Sequence, residues 1–170
     1  MVTAQPDITE VWTWLGSIPD PEIPVLSILD LGIVRDVEWN SESDELTVTI
    51  TPTYSGCPAM VVIAENIRTV LANRGIPQVR LEKRLSPAWT TDWLTVEAKR
   101  RLQEYGIAPP EKLVKPDQIQ PLQMTEPKYV RCPRCHSDHT ELVSRFGSTP
   151  CKALYKCLDC LEPFDTFKQH

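Results

Sequence analysis

Histidine is scarce in this chain of 170 residues. Only three histidines are present, and none of them precedes His136. A Cys–His dyad or a Ser–His–Asp triad needs an imidazole that accepts a proton from the nucleophile. The first 135 residues therefore cannot supply either arrangement, which excludes hydrolases of those two types for most of the sequence.

Long hydrophobic runs are missing as well. A membrane-spanning helix needs roughly 18 or more consecutive apolar residues, and no stretch of the sequence approaches that length. The N-terminal residues do not show the basic segment and apolar run of a secretory signal either. We therefore expect a cytoplasmic protein without a membrane span.

The sequence also lacks a surplus of positive charge. The formal net charge is −5, and residues 1–107 hold 15 acidic against 9 basic side chains. Nucleic-acid binding depends on basic groups that meet the phosphates, and the excess of such groups in residues 128–170 is small, 7 against 5. This charge distribution disfavours nucleic acid as a partner.

Proline divides the chain. Five of the 16 prolines fall in residues 108–127, a stretch without sustained helical or alternating periodicity. Such a composition is typical of a stiff, extended linker. The sequence thus predicts one domain over residues 1–107, a linker over residues 108–127 and a second domain over residues 128–170.

Hydrophobic periodicity predicts the element order α-β-β-α-β-α for the first domain. The predicted helices cover residues 7–18, 58–74 and 95–106, and the predicted strands cover residues 32–39, 45–51 and 78–85. The first two strands are separated by a short polar turn and should form an antiparallel hairpin. The predicted fold is a small α/β (α+β) sandwich followed by a second, smaller domain.

The second domain carries two C-x-x-C pairs, Cys132 with Cys135 and Cys157 with Cys160. In a reducing compartment such pairs indicate a metal site before disulfides, and two of them can close a tetrahedron around zinc. A domain of this size also needs a crosslink, because its apolar core is small. The sequence predicts a zinc ribbon in which zinc is structural. Four thiolates also suit iron or an Fe–S cluster, and this alternative stays open.

The ribbon strands are predicted near residues 140–146, 153–157 and 164–167. Three further side chains lie near the cysteine pairs. His136 and His139 flank the first pair, and Cys151 precedes the second. Since four cysteines already complete a closed site, we interpret both histidines as surface groups or as hydrogen-bond partners of the ligands. Cys151 is either a small core residue or a substitute ligand.

Cys57 is the single cysteine of the first domain, and it lies where a strand leads into a helix. The N–H groups and the dipole at a helix start stabilise a thiolate. We therefore expect a pKa below that of an ordinary thiol, and a role in metal binding or nucleophilic attack. The plainer alternative is a small buried thiol.

Asp20 and Glu22 lie in a loop that two prolines hold extended, and Asp30 follows. If the loop packs over the start of the Cys57 helix, carboxylates beside a thiolate would form a mixed ligand set for transient iron. Turn and cap chemistry is the plainer interpretation. Trp89 and Trp93 leave a similar choice, between an anchor for a partner and packing that closes the core.

These residues carry a resemblance to known families. Asp20 and Glu22, the motif Asp30-Leu31-Gly32, Thr53 and the pair Cys57-Pro58 resemble the iron–sulfur-assembly family, which includes SufT-like factors. The chain is similar, more closely, to the family of D subunits of phenylacetyl-CoA epoxidase. The matching stretches are residues 18–32, 51–59, 87–94, 104–109 and 146–155, together with both cysteine pairs.

The resemblance implies an accessory protein of aerobic phenylacetate catabolism that is not itself catalytic. It carries over Cys57 as the functional thiol and Asp20, Glu22 and Thr53 as motif residues near it. The implied task is delivery of iron or an Fe–S cluster to the diiron oxygenase or the reductase component of the epoxidase. The alternatives are a stoichiometric subunit with a structural or electron-transfer role and, more weakly, a zinc-ribbon regulator that binds nucleic acid.

Overall fold

The computed structural model describes residues 6–110 and 130–169, which belong to two compact units. The first unit is Met1–Ala98 and the second is Lys99–His170. The boundary predicted after residue 107 lies further along the chain than the observed one. Most of the predicted linker, residues 111–127, lies outside the described residues, so the linker stays a prediction.

The first unit contains two helices and a three-stranded sheet. The elements are α1 (Ile8–Gly16), β1 (Val34–Asn40), β2 (Glu45–Ile50), α2 (Ala59–Ala72) and β3 (Val79–Lys83). β1 and β2 form the predicted antiparallel hairpin. β2 and β3 are parallel neighbours, which requires a crossover connection, and α2 provides it.

Helix packing covers the sheet of the first unit. On α2, Ile63, Ile67 and Leu71 are fully buried, and their spacing of four residues places them on one face. α1 buries Val11 and Leu15. Its N-terminus is capped by the side chain of Asp7, which accepts a hydrogen bond from the backbone N–H of Thr9.

A short 3-10 helix (Thr91–Trp93) and α3 (Val96–Tyr105) follow β3. The 3-10 helix was not predicted, whereas α3 falls within the predicted range. The observed boundary between the two units lies inside α3.

The second unit contains a four-stranded sheet. Its elements are β4 (Ile107–Ala108), β5 (Thr140–Ser144), β6 (Lys152–Cys157) and β7 (Pro163–Phe167), in the spatial order β4-β7-β6-β5. The last three strands are those predicted for a ribbon, and they pair antiparallel. β4 adds a parallel edge strand beside β7. Among residues 6–110 and 130–169, no helix has both the length and the apolar character needed to cross a bilayer.

Candidate functional site

The loop after α1 is held by Asp20. This side chain is only 5% exposed, and its Oδ1 accepts hydrogen bonds from the backbone N–H groups of Glu22 (2.9 Å) and Ile23 (2.8 Å). The N–H of Asp20 donates to the carbonyl of Leu26 (2.8 Å). Buried polar groups are stable when they are hydrogen-bonded in this way. Asp20 therefore caps the loop, as the plainer interpretation proposed, and it fixes the backbone of the partly buried Glu22.

Asp30 closes the second half of the same loop. Its Oδ2 accepts hydrogen bonds from the N–H (2.8 Å) and the hydroxyl (2.9 Å) of Ser27. In return, the N–H of Asp30 donates to the Ser27 hydroxyl oxygen (3.0 Å). This reciprocal arrangement satisfies two backbone donors with two side chains, so Asp30 also has a structural task.

Two tryptophans pack against the Asp30-Leu31-Gly32 motif. The indole N–H of Trp89 is buried and donates to the carbonyl of Leu31 (2.7 Å). Gly32 has a φ of 65°, and a Cβ at this position would come within 3.1 Å of the Cβ of Trp93. Position 32 requires glycine for two reasons: its backbone has a positive φ, and the Trp93 side chain leaves little room for a Cβ. Trp89 therefore closes the core, whereas Trp93 is partly buried, with the guanidinium of Arg35 3.6 Å from its ring centroid.

Cys57 lies in the turn between β2 and α2. Its N–H donates to the carbonyl of Tyr54 (3.1 Å), and its carbonyl accepts a hydrogen bond from the N–H of Met60 (3.3 Å). Helix α2 begins at Ala59 with Pro58 in the N-cap position. Cys57 thus lies one residue before the cap, and its side chain is partly buried.

The surroundings of the Cys57 thiol raise its pKa above the ordinary value of 9.0. Burial is the largest cause, because it disfavours the charged thiolate. The backbone N–H of Ala59 and the side chain of Thr53 hydrogen-bond the sulfur and lower the pKa, whereas the charges of Glu22 and Asp20 raise it. The prediction of an acidic thiol is therefore wrong. The helix start does favour the thiolate, but burial and two carboxylates outweigh it.

The four residues predicted for the thiol site are thus brought together, since Thr53, Glu22 and Asp20 all act on Cys57. They do not form a ready metal cage. In the described part of the chain, the C-terminal cysteines are the one group of three or more His, Cys, Asp or Glu side chains whose ligand atoms converge. The mixed thiolate–carboxylate set is incomplete, and an iron ion held by Cys57 needs further ligands from another source.

The candidate metal centre of the second unit contains Cys132, Cys135, Cys157 and Cys160. All four Sγ atoms lie within 4.8 Å of one another. The sulfurs of Cys132 and Cys160 are 3.7 Å apart, and those of Cys135 and Cys157 are 3.5 Å apart. A tetrahedron with metal–sulfur bonds of about 2.3 Å has edges of about 3.8 Å. The donor set therefore fits a tetrahedral metal ion.

Both cysteine pairs are held by the same backbone geometry. In the first pair, the N–H of Cys132 donates to the carbonyl of Ser137 (2.9 Å), and His136 has a φ of 62°. In the second pair, the N–H of Cys157 donates to the carbonyl of Glu162 (3.0 Å), and Leu161 has a φ of 66°. A residue with positive φ directly after the second cysteine turns the chain back, so each pair presents two sulfurs to the same point.

The thiol pKa values within this group diverge. The backbone N–H of Cys160 is the largest cause that lowers the pKa of Cys157, to about 7. The N–H of Glu162 also lowers the pKa of Cys160, but burial and the neighbouring thiols outweigh it and raise this pKa to about 12. Four adjacent sulfurs cannot all ionise unless a cation compensates their charge, which is what a bound metal supplies.

His136 and His139 are exposed, as predicted. His139 belongs to a hydrogen-bonded group that joins the segment after the first cysteine pair to the second pair. Asp159, between Cys157 and Cys160, accepts a hydrogen bond from the hydroxyl of Ser137, and its Oδ1 lies 3.1 Å from Nδ1 of His139. Neither Ser137 nor Asp159 was identified from the sequence, because neither resembles a ligand.

Cys151 is buried at the start of β6, with its sulfur 3.0 Å from the hydroxyl oxygen of Thr149. It does not belong to the converging group of cysteines. Cys151 is therefore a core residue of the second unit, and the alternative of a substitute ligand is not supported.

Two domain families account for the two parts of the chain. The family of iron–sulfur cluster assembly proteins matches residues 8–80, and the family of PaaD zinc beta ribbon domains matches residues 116–168. The crystal structure of a DUF59 domain of unknown function from Bacillus anthracis superimposes with a TM-score of 0.51 and 26% identity, over 55% of this chain and 89% of that one. The chain thus combines an iron–sulfur-assembly domain with a zinc ribbon.

One relative spans both parts. A protein of Escherichia coli (strain K12), provisionally named as the D component of 1,2-phenylacetyl-CoA epoxidase, is 50% identical over 165 residues, which are 97% of this chain and 94% of that protein. The chain belongs to the family of this epoxidase component. An Fe-S protein maturation auxiliary factor of Porphyromonas gingivalis is 34% identical over 89 residues, which are 52% of this chain and 83% of the factor.

Proposed function

We propose that this protein is an accessory factor of the phenylacetyl-CoA epoxidase system that hands iron, as Fe²⁺ or as an Fe–S cluster, to the oxygenase or the reductase component of that enzyme. The iron passes through Cys57. The observation that carries the proposal is the set of groups around this thiol, namely one sulfur, two carboxylates and a hydroxyl without a complete cage. The names of the relatives, an epoxidase component and an Fe–S maturation factor, support the same function.

Iron uptake at Cys57 exchanges a proton for a metal ion. The S–H bond breaks, the proton leaves to solvent, and the sulfur forms a bond to iron. Because the pKa of Cys57 is raised, the proton competes strongly for the sulfur near neutral pH. Glu22 and Asp20 supply negative charge that attracts the cation. The thiol therefore binds iron weakly, and it is reprotonated when an acceptor with a more complete ligand set takes the ion.

The four-cysteine site has a different task in this proposal. It holds zinc, and the zinc is structural, because four sulfur ligands leave no open coordination position. Metal analysis of the purified protein, combined with visible absorption, tests this assignment. One equivalent of zinc and no visible band is the expected result. Iron with a visible band would instead favour a stoichiometric subunit that transfers electrons.

One cysteine variant, Cys57→Ser, tests iron delivery. A variant of Cys151, the ribbon cysteine outside the four-cysteine site, is the matched control. Cys57→Ser should abolish Fe²⁺ binding in an anaerobic titration and leave the zinc content unchanged. Oxygenase and reductase components produced in cells with this variant should be short of iron. Cys151→Ala removes a thiol outside both sites and should behave like wild type in every measurement.

Two results would contradict delivery. One is a normal iron content of the epoxidase components in cells that carry Cys57→Ser. The other is a need for the wild-type protein at every turnover after the components have been reconstituted chemically with iron and sulfide. A carrier that works through a free thiol needs a reducing compartment, and we propose the cytoplasm as its location.

A further inference from the structure

The ribbon distinguishes this protein from the maturation factor. The 89 residues matched by the Porphyromonas gingivalis factor are 83% of its length, so the remainder is too short for a second domain of the ribbon's size. The Escherichia coli epoxidase component matches through 97% of this chain, which includes the ribbon. The four-cysteine site explains how the ribbon folds, but not what the ribbon adds for an epoxidase.

The connection between β5 and β6 presents an aromatic side chain to solvent. Phe146 is 68% exposed. The ammonium group of Lys168 lies 4.4 Å from the centroid of its ring and donates a hydrogen bond to the carbonyl of Pro150 (2.9 Å). The N–H of Phe146 donates to the hydroxyl oxygen of Ser144 (3.1 Å). The ring is thus held in place while most of its surface stays uncovered.

A network of polar contacts around the buried Lys152 forms the base of this connection. Asp165 Oδ2 accepts a hydrogen bond from the Ser148 hydroxyl (2.6 Å) and lies 3.9 Å from the ammonium group of Lys152, which is only 4% exposed. The N–H of Gly147 donates to the carbonyl of Lys152 (2.8 Å), and a Cβ at Gly147 would collide with Asp165 Oδ1. Asp165 Oδ2 therefore joins Ser148 of the loop to Lys152 of β6, and these contacts favour the loop conformation that presents Phe146.

An exposed aromatic ring on a hydrogen-bonded base is the arrangement of a binding anchor. Aromatic side chains dominate the affinity of many protein interfaces, and a preorganised loop loses little conformational entropy on binding. Leu142 and Val143, which precede the loop on β5, are exposed apolar residues as well. One basic group lies against the ring, the ammonium of Lys168, so the charge that complements this surface is negative.

We propose that the Phe146 loop, residues 145–150, is the surface through which this protein docks on a component of the epoxidase. The partner is a protein with an apolar pocket for Phe146 and Asp or Glu side chains at the rim for Lys168. The choice of an epoxidase component as partner rests on the proposed function. The iron–sulfur-assembly domain supplies the transfer thiol, and the ribbon selects the recipient.

Binding measurements with the full-length protein test the docking surface. The purified oxygenase and reductase components are the probes, and the dissociation constant is measured at low and at moderate salt. Phe146→Ala should weaken binding to one of them at least tenfold. Lys168→Glu should weaken it and reduce its salt dependence. Gly147→Ala keeps the ring but displaces the Asp165 network, so it should also weaken binding.

Two controls separate docking from folding and from iron transfer. Val96→Ala changes an apolar side chain that is 87% exposed outside the ribbon, and it should bind like wild type. Cys57→Ser should also bind like wild type. Phe146→Ala should keep its zinc and the Fe²⁺ affinity of Cys57, which shows that the protein is folded and that the thiol site is intact.

Unchanged affinity of Phe146→Ala and Lys168→Glu would overturn the proposal, as would a wild-type protein that binds neither component. Binding of a nucleic-acid duplex through the same two residues would overturn it as well. A normal iron content in Cys57→Ser cells bears on delivery alone, since the binding experiment involves no iron transfer. The two proposals can therefore fail separately.

Discussion

The two sulfur sites of this protein differ in completeness. In the ribbon, four Sγ atoms lie within 4.8 Å of one another, and backbone hydrogen bonds hold both cysteine pairs. In the turn between β2 and α2, Cys57 is a single sulfur beside a hydroxyl and two carboxylates. The first arrangement fits an ion that stays bound, whereas in the proposed function the second arrangement binds an ion only until an acceptor takes it. Under that proposal the same ligand atom serves opposite tasks, and the number of neighbouring ligands decides between them.

The thiol pKa values also differ between the ribbon site and the Cys57 site. Backbone N–H groups are the main cause that lowers the pKa of Cys157, and they prepare a thiolate for a metal. Burial is the main cause that raises the pKa of Cys57, so this sulfur holds its proton more firmly than an ordinary thiol does. Position at a turn before a helix or after a strand does not by itself make a thiol acidic.

The largest expected effect is the loss of one ribbon ligand. Cys160→Ser should remove one equivalent of metal and abolish the cooperative unfolding of the second unit, because a structural metal provides much of the folding free energy of a small domain. The first unit has its own core and should keep its transition. Metal analysis and scanning calorimetry test both expectations.

Cys57→Ser is the matched control for this experiment. It should change neither the metal content nor the thermal transitions, since serine preserves the size of the side chain. If Cys160→Ser unfolded the whole chain, or if Cys57→Ser released the ribbon metal, the distinction between a closed and an open site would be lost.

A smaller effect is expected from the residue that shapes the open site. Asp20→Ala removes the acceptor of two backbone N–H bonds in a buried loop, and it should lower the free energy of unfolding by about 1–3 kcal/mol. Asp20→Asn keeps one acceptor oxygen and should cost less. Urea unfolding measures both values, and equal stability of Asp20→Ala and wild type would contradict the capping role.

Reactivity of the open-site thiol should depend on pH in a defined direction. Because the pKa of Cys57 lies above 9.0, the thiolate fraction at pH 7 is below that of an ordinary thiol. Its alkylation by iodoacetamide should be slower at pH 7 and should still accelerate beyond pH 9. Peptide mass spectrometry follows this cysteine separately from the other five.

Glu22→Gln removes one of the charges that raise this pKa, so it should accelerate the reaction at pH 7 by a few fold. Glu65→Gln changes an exposed carboxylate on α2 and is the control. A wild-type thiol that reacts faster at pH 7 than free cysteine would contradict the assigned environment.

The smallest effect concerns an exposed ion pair next to the closed site. Arg131 contacts Asp138 through two hydrogen bonds of 2.9 and 3.2 Å, and this contact lowers the pKa of Asp138 below 3.8. The pair stabilises the folded state at pH values above the pKa of the unfolded chain, and the gain is lost as the pH falls through the folded pKa.

Asp138→Asn should therefore lower the melting temperature of the second unit slightly near neutral pH, and the difference from wild type should vanish in acid. A double variant with Arg131→Gln should be no less stable than the sum of the single variants predicts. A difference that grows in acid would contradict this assignment.

The fold was predictable where local signals are strong. The β-branched runs of the first hairpin and the apolar spacing of α2 correspond to the observed elements, and the two C-x-x-C pairs correspond to one converging site. The parallel pairing of Leu46 with Val79 was not predictable, because the sequence of a short strand does not specify its neighbours.

The sequence indicated which residues lie near Cys57, but it did not indicate the direction of the shift in the pKa of this thiol. The resemblance joined Cys57 to Thr53, Glu22 and Asp20, and in the structure all three lie close enough to affect the pKa of this thiol. The direction of the thiol pKa was wrong, since the sequence shows a helix start but not how deeply the sulfur is buried. The ion pair of Lys152 with Asp165 was not identified, because their 13-residue separation in sequence becomes a contact only once β6 and β7 pair.

Strand β4 sets the smallest piece of this protein that can be moved to another scaffold. Its two residues, Ile107–Ala108, pair with β7, and the hydroxyl of Thr166 donates to the carbonyl of Ala108 (3.3 Å). A fragment that starts at residue 128 would leave this side of β7 as an open edge, which invites pairing with other chains. A fusion or a recombination event that transplants an intact ribbon therefore has to carry the chain from before residue 107.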